Sequence, residues 1–72
     1  MAKRNPRQLV IEAKQIARDY GCFVAEVNVR SPEPATDYVV YRRLPDGKAA
    51  WLGKRSSPAG LHKLVRDVTG FH

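Results

Sequence analysis

The chain has 72 residues, which allows one small domain, because a chain this short buries only about 60% of its unfolded surface and cannot divide that between two cores. Hydrophobic residues make up 43% of the sequence, which excludes a highly charged disordered segment. Lysine and arginine outnumber aspartate and glutamate by 13 to 7, and the net charge of +6 at pH 7 favours polyanionic partners, with nucleic acid first among them.

The first predicted element is a helix that begins after Asn5 and Pro6. Asparagine is a good N-cap, and proline fits the first helical position because its missing N–H would have no partner there. Apolar residues then recur at intervals of three and four, which is typical of a helix with one buried face. These residues are Leu9, Val10, Ala13, Ile16, Ala17 and Tyr20. Gly21 suits the left-handed position that ends such a helix.

Period-two alternation replaces the helical spacing at residues 22–30 and predicts a half-buried strand. Its more apolar face is made of Phe23, Ala25, Val27 and Val29. Segment 31–37 contains two prolines, which lack the N–H that a sheet ladder needs. We therefore expect residues 31–37 to form an exposed loop.

A hairpin and a second helix complete the chain. Residues 38–44 are rich in β-branched and aromatic side chains, the turn follows at Pro45-Asp46-Gly47, and a strand over 48–52 ends at Gly53. Ser57-Pro58 repeats the signal of a cap followed by proline. Because Gly60 disfavours a helix by about 1 kcal/mol relative to alanine, we predict regular helix from Leu61 onward. The apolar stripe is Leu61, Leu64, Val65 and Val68, and Gly70 is the predicted stop.

The predicted order is α-β-β-β-α in a single domain spanning residues 1–72, with flexible ends at 1–5 and 70–72. This order predicts an α+β fold in which both helices pack on one face of a three-stranded antiparallel sheet. The other face of the sheet is then free.

The order α-β-β-β-α is that of double-stranded-RNA-binding folds, and the second half of the chain resembles HicA-type (YcfA-like) toxin domains. The likeness rests on the turn at Pro45-Asp46-Gly47, the following strand and polar loop, and the helix start at Pro58-Ala59-Gly60-Leu61. HicA-type toxins are ribonucleases whose second strand opens with Gly-Ser-His, and the histidine performs the acid–base chemistry. This chain has Ala35-Thr36-Asp37-Tyr38 in that region, so the resemblance implies the fold and contact with nucleic acid but no ribonuclease activity.

A second likeness is to the arm-site DNA-binding domains of phage-type integrases, which also place a three-stranded sheet against a C-terminal helix. The stretch "YRRLPDGKAAWLGKRSSPAGL" is similar to the order of Tyr-Arg, turn, Leu-Gly and basic loop in those domains. This likeness covers less than half of the chain, and it implies DNA as the partner.

Ten basic residues are the predicted nucleic-acid contacts. Seven of them fall on the predicted second and third strands, the loop that follows, and the second helix, and Asp46 is the only acid among them. They are Arg42, Arg43, Lys48, Lys54, Arg55, Lys63 and Arg66. Arg7, Lys14 and Arg18 share a line on the first helix, where Glu12 and Asp19 dilute the charge. A solvated surface is the alternative for both groups.

The alternation of strand residues places either Arg42 or Arg43 on the free face. Tyr41 and Trp51 are either aromatic platforms beside these charges or, as is more common, residues of the core, where we expect them. His62 is expected at a solvated helix position and His72 at a frayed terminus. Cys22, the only cysteine, is expected to be a small buried or half-buried apolar residue and not a reactive thiol.

The leading hypothesis is a small, cytoplasmic, non-enzymatic protein that contacts the nucleic-acid phosphate backbone without metal or cofactor. Neither a membrane-spanning segment nor a zinc-ligand spacing is present in the sequence. The alternative is a phage-like or mobile-element accessory protein that binds an acidic protein partner through a free sheet edge. Such an edge also permits a homodimer.

Overall fold

The computed structural model describes residues 5–30 and 34–71, and within these ranges it contains five elements in the predicted order. They are helix α1 (Pro6–Asp19), strands β1 (Cys22–Arg30), β2 (Pro34–Arg43) and β3 (Ala49–Arg55), and helix α2 (Pro58–Thr69). The strands form one antiparallel sheet in the order β1-β2-β3, and both helices pack against the same face of it. The α+β fold predicted from the sequence is confirmed.

Helix α1 begins at the predicted cap. The side chain of Asn5 accepts a hydrogen bond from the N–H of Gln8 at 2.8 Å, and Pro6 occupies the first helical turn. Gly21 follows the helix with φ of 75°, in the left-handed region. Tyr20 is the C-cap and lies outside the buried stripe: it is 50% exposed, and its ring meets that of Phe71 edge-on. The predicted place of Tyr20 in the apolar stripe is wrong because the helix ends before it.

Helix α2 is regular from Pro58, earlier than predicted. The hydroxyl of Ser57 accepts a hydrogen bond from the N–H of Gly60 at 3.1 Å, which caps the first turn. A Cβ at Gly60 would lie only 3.0 Å from that hydroxyl oxygen. The glycine that disfavours a helix interior therefore suits this capped turn. At the other end, Gly70 is the C-cap and ends the helix as predicted, and its backbone adopts a left-handed conformation.

The core lies between the two helices and the sheet. Its buried members are Ala13, Ile16, Ala17, Cys22, Val40, Leu61, Leu64 and Val65. The burial predicted for Cys22 is confirmed. The solvated position predicted for His62 is wrong: the residue is 8% exposed, and its Nε2 lies 3.4 Å from Oε1 of Glu12 without the alignment of a hydrogen bond. Because α2 packs against α1 as well as against the sheet, the buried face of α2 is wider than its apolar stripe and includes His62.

Strand β2 begins before the predicted end of the loop. Residues 35–37 pair with β1, for example Ala35 with Val29 and Asp37 with Val27. The loop predicted over 31–37 is therefore wrong at 34–37, while 31–33 lie outside the described residues. A proline is tolerated at the first residue of a strand, where a ladder donor is not required, and Pro34 holds that position.

Strand β3 continues past Gly53, where it was predicted to end, so Lys54 and Arg55 are strand residues and not loop residues. Gly53 lies opposite Val40, and a Cβ on it would come within 2.9 Å of Cδ2 of Leu64. The missing side chain lets α2 approach the sheet. Neither helix of the described part of the chain is long and apolar enough to cross a bilayer.

Candidate nucleic-acid interface

The face of the sheet that the helices leave uncovered is called the open face. Cys22 and Val24 of β1 pack against the helical core, so the alternate residues of that strand point away from it. The same alternation and the pairing register define the members on β2 and β3. The open face consists of Phe23, Ala25, Val27, Val29, Ala35, Asp37, Val39, Tyr41, Arg43, Ala49, Trp51 and Lys54. The more apolar face of β1 is thus the one that no helix covers.

Three aromatic residues, one on each strand, lie next to one another across the open face, near the end of the sheet that carries the β2–β3 turn. Tyr41 pairs with Phe23 on one side and with Trp51 on the other. The rings of Phe23 and Tyr41 are stacked, with centroids 5.2 Å apart and planes 18° apart, and Trp51 is 63% exposed. The core position predicted for Tyr41 and Trp51 is wrong. We call these three residues the aromatic row.

Two cations flank the aromatic row. The guanidinium carbon of Arg43 lies 4.7 Å from the centroid of the Phe23 ring, in a cation–π contact. Nζ of Lys54 lies 3.9 Å from Oδ2 of Asp37, the only carboxylate among the described open-face residues. Because both groups of this ion pair have exposed surface, the contact is weak and leaves Lys54 able to bind another anion.

A β-bulge in β3 brings Lys54 to the open face. The register shifts between Val40 and Tyr41, so that Val40 lies opposite Gly53 while Tyr41 lies opposite Trp51, and Leu52 is the extra residue. Without the bulge, Trp51 and Gly53 would point to the same side of the sheet. With the bulge, Trp51 faces outward and Gly53 faces the helices. The residues of β3 after the bulge lie on the opposite sides from those that regular alternation would give, so Lys54 lies on the open face.

The structure does not gather the seven basic residues of the second half into one patch. Arg43 and Lys54 lie on the open face, which confirms that one of the two neighbouring arginines points there. Arg42 and Arg55 are exposed on the helix side of the sheet, and Lys48 lies at the β2–β3 turn. Lys63 and Arg66 are exposed on the outer surface of α2, across the molecule from the open face.

The three basic residues of α1 also have different surroundings. Nζ of Lys14 lies 2.9 Å from Oε2 of Glu26 in an ion pair. Arg7 lines a cleft of about 450 Å³ between the start of α1, the sheet and the start of α2, which Lys14 and Glu26 also line. Arg18 lines a groove of about 220 Å³ that also contains Phe23 and Arg43 of the open face. Lys14 lines the same groove, so Lys14 and Arg18 are the two cations of α1 that lie beside Phe23 of the aromatic row.

Comparison with protein-family models, with curated proteins and with solved structures gave no significant match. The likeness to HicA-type toxins and to integrase arm-site domains therefore stays a prediction. The geometry of the chain itself is the guide to what the open face binds.

The arrangement on the open face suits non-covalent recognition. Flat aromatic rings stack on nucleobases without regard to sequence, and neighbouring cations bind the phosphates that join them. Among the described residues, no group of three or more His, Cys, Asp or Glu side chains is placed to hold a metal ion.

Phe23 is the residue of the candidate interface that the sequence pattern does not predict to be exposed. It was assigned to the apolar face of a half-buried strand, and an apolar face is ordinarily the one that packs inward. The one sequence signal that bears on the faces of the sheet is the turn at 45–47. Such a turn sets the hairpin register, and the register determines which residues of β2 and β3 lie on the same face. It does not fix which of these faces the helices cover.

Proposed function

We propose that this chain is a non-enzymatic nucleic-acid-binding protein that binds a single strand on its open face. The observation that supports this most directly is the aromatic row, which crosses an uncovered sheet face between Arg43 and Lys54. Stacking of a base on an aromatic side chain contributes about 1–3 kcal/mol, and the cations supply phosphate contacts. The remaining basic residues add to the long-range field that attracts a polyanion.

A single strand fits this face better than a duplex does. In a duplex the base faces are stacked on one another, so rings such as Trp51 have no base face to contact. In a single strand the bases can splay out and lie on the row. The proposal thus narrows the interface to the open face and places Lys63 and Arg66 outside it.

The main alternative occupant is a protein surface, either a second copy of this chain or an acidic partner. A second copy would bring two molecules of net charge +6 together and press Arg43 and Lys54 against like charges or apolar side chains. Contact of these cations with like charges is repulsive, and contact with apolar side chains removes them from water, so both are unfavourable. An acidic partner satisfies the charge, but it makes no specific use of three neighbouring aromatic rings.

Titration with single strands tests the proposal. Trp51 is the only tryptophan, so its fluorescence reports on the aromatic row. Labelled oligo(dT), oligo(U) and a duplex are added at low and at physiological salt. We expect the single strands to quench Trp51 and bind more tightly than the duplex, with log K falling against log salt by about 0.7 per phosphate contact. Tighter binding of the duplex without quenching would contradict the proposal.

Replacement of the exposed ring provides the second half of the test. Trp51→Ala should weaken strand binding by about 1–3 kcal/mol, measured by anisotropy of the labelled strand, because one stacking contact is lost. Tyr20→Ala is the matched control, since Tyr20 is an exposed aromatic residue at the C-cap of α1 whose ring packs against Phe71 and not in the aromatic row. Equal losses in the two variants would remove the aromatic row from the interface.

A further inference from the structure

A basic groove lies beside the aromatic row, where the last turn of α1 passes the edge strand β1. Its volume is about 220 Å³. It is lined by Lys14, Arg18, Gly21, Cys22, Phe23, Val24 and Arg43. Three of these residues are cationic and none has a carboxylate. We call this the edge groove.

Backbone hydrogen bonds link the two arginines of the edge groove through Gly21. The N–H of Arg43 donates to the carbonyl of Gly21 at 2.9 Å, and the N–H of Gly21 donates to the carbonyl of Arg18 at 3.3 Å. The end of β2 is thereby tied to the end of α1. The stacking of Arg43 on Phe23 further restricts that guanidinium.

The charges in the edge groove favour an anion. Lys14 is already paired with Glu26 at 2.9 Å, whereas Arg18 and Arg43 have no carboxylate within ion-pair distance among the residues that the structure describes. The C-terminal end of α1 adds a partial negative charge of about half a unit, which opposes anion binding. Two guanidinium groups outweigh it, and their planar forks match the oxygens of a phosphate.

We propose that the edge groove binds a phosphodiester of the strand whose bases stack on the aromatic row. This inference rests on the proposed function and adds a defined phosphate site to it. Phe23 and Arg43 belong to both surfaces, so a strand that crosses from Trp51 through Tyr41 to Phe23 arrives directly at the groove. Arg18 then contacts a phosphate of that strand, although the helix that carries Arg18 contributes no residue to the open face.

Arg18→Ala tests this site, with Arg66→Ala as its control. Arg66 is also an exposed helical arginine, but it lies outside the proposed interface. We expect Arg18→Ala to weaken oligo(dT) or oligo(U) binding and to reduce the salt slope by about 0.7, the loss of one phosphate contact. Quenching of Trp51 at saturating strand should remain, because the stacking contacts are intact. Arg66→Ala should leave the salt slope unchanged.

The outcomes separate this inference from the proposed function. If Arg18→Ala keeps the wild-type salt slope while the strand still quenches Trp51, the edge groove is not a phosphate site and the proposed function stands. If the wild-type chain does not bind a strand, both fail. Inorganic phosphate is added in a parallel NMR titration. Shifts of the Gly21 and Phe23 amides that Arg18→Ala abolishes, without an effect of Arg18→Ala on strand binding, would assign the groove to free phosphate and overturn the inference.

Discussion

Gly53 shows how one residue sets the distance between a helix and the sheet. Its backbone φ is not in the left-handed region, so conformational freedom is not the reason for glycine there. The reason is space, because a Cβ would lie 2.9 Å from Cδ2 and 3.1 Å from Cδ1 of Leu64. Leu64 is itself buried in the core and has little room to move.

Gly53→Val should therefore lower the free energy of unfolding by about 1–3 kcal/mol, the usual cost of overpacking a core. Gly53→Ala should have a smaller effect of the same sign. Chemical denaturation measures both. Ala49→Val is the control on the same strand: Ala49 is exposed, and its replacement should change stability by no more than about 0.5 kcal/mol. Stability of Gly53→Val at or above the wild-type value would contradict the close packing of Leu64 against Gly53.

At the scale of the element, both helices begin with the same device, a polar cap followed by proline. Asn5 and Ser57 each accept a hydrogen bond from the backbone N–H three residues later, and Pro6 and Pro58 occupy the first turns. These signals act within one turn of the chain. The sequence alone therefore predicts both caps.

Ser57→Ala should lower the free energy of unfolding by about 0.5–2 kcal/mol, because the N–H of Gly60 loses its acceptor. The adjacent Ser56 offers a matched control, since it is exposed and lies outside the cap. Ser56→Ala should change stability by no more than about 0.5 kcal/mol in the same denaturation experiment. Similar losses for the two serines would show that the cap does not stabilise α2.

The described part of the molecule is a thin slab, because both helices cover one face of the sheet and no other described element covers the opposite face. Its Cα atoms extend over 36 × 35 × 15 Å. On the open face the sheet exposes apolar and aromatic residues such as Val27 and Trp51, and the described basic residues lie on both sides of the molecule. An uncovered aromatic face and a positive field are compatible with binding a flexible polyanion. The repulsion among the excess positive charges also destabilises the folded state.

Salt should therefore affect folding and binding in opposite directions. Raising the concentration of sodium chloride should raise the Tm of the free protein, since it screens the repulsion among excess positive charges. The same change should weaken strand binding through counterion release. Thermal unfolding by circular dichroism and anisotropy titrations measure the two effects. A Tm that falls with salt would mean that ion pairs such as Lys14–Glu26 outweigh the repulsion.

The sequence by itself determined the order of the elements, the caps of both helices, the turn at 45–47 and the location of most core residues on the helices. These features depend on contacts within a few residues, which local residue types and periods specify. It did not determine the length of β2 or the continuation of β3. Both follow from pairing with residues distant in the chain.

Only the tertiary structure decided which face of the sheet is open. Alternation in β1 defines two faces but does not choose between them, and the helices cover the side of Cys22 and Val24 instead of the more apolar side of Phe23. The bulge at Leu52 then changes the sides of Gly53 and Lys54. The candidate site depends on these two features, the face that the helices cover and the bulge. Together they place three aromatic rings on the outward side and leave space at Gly53 for helix α2.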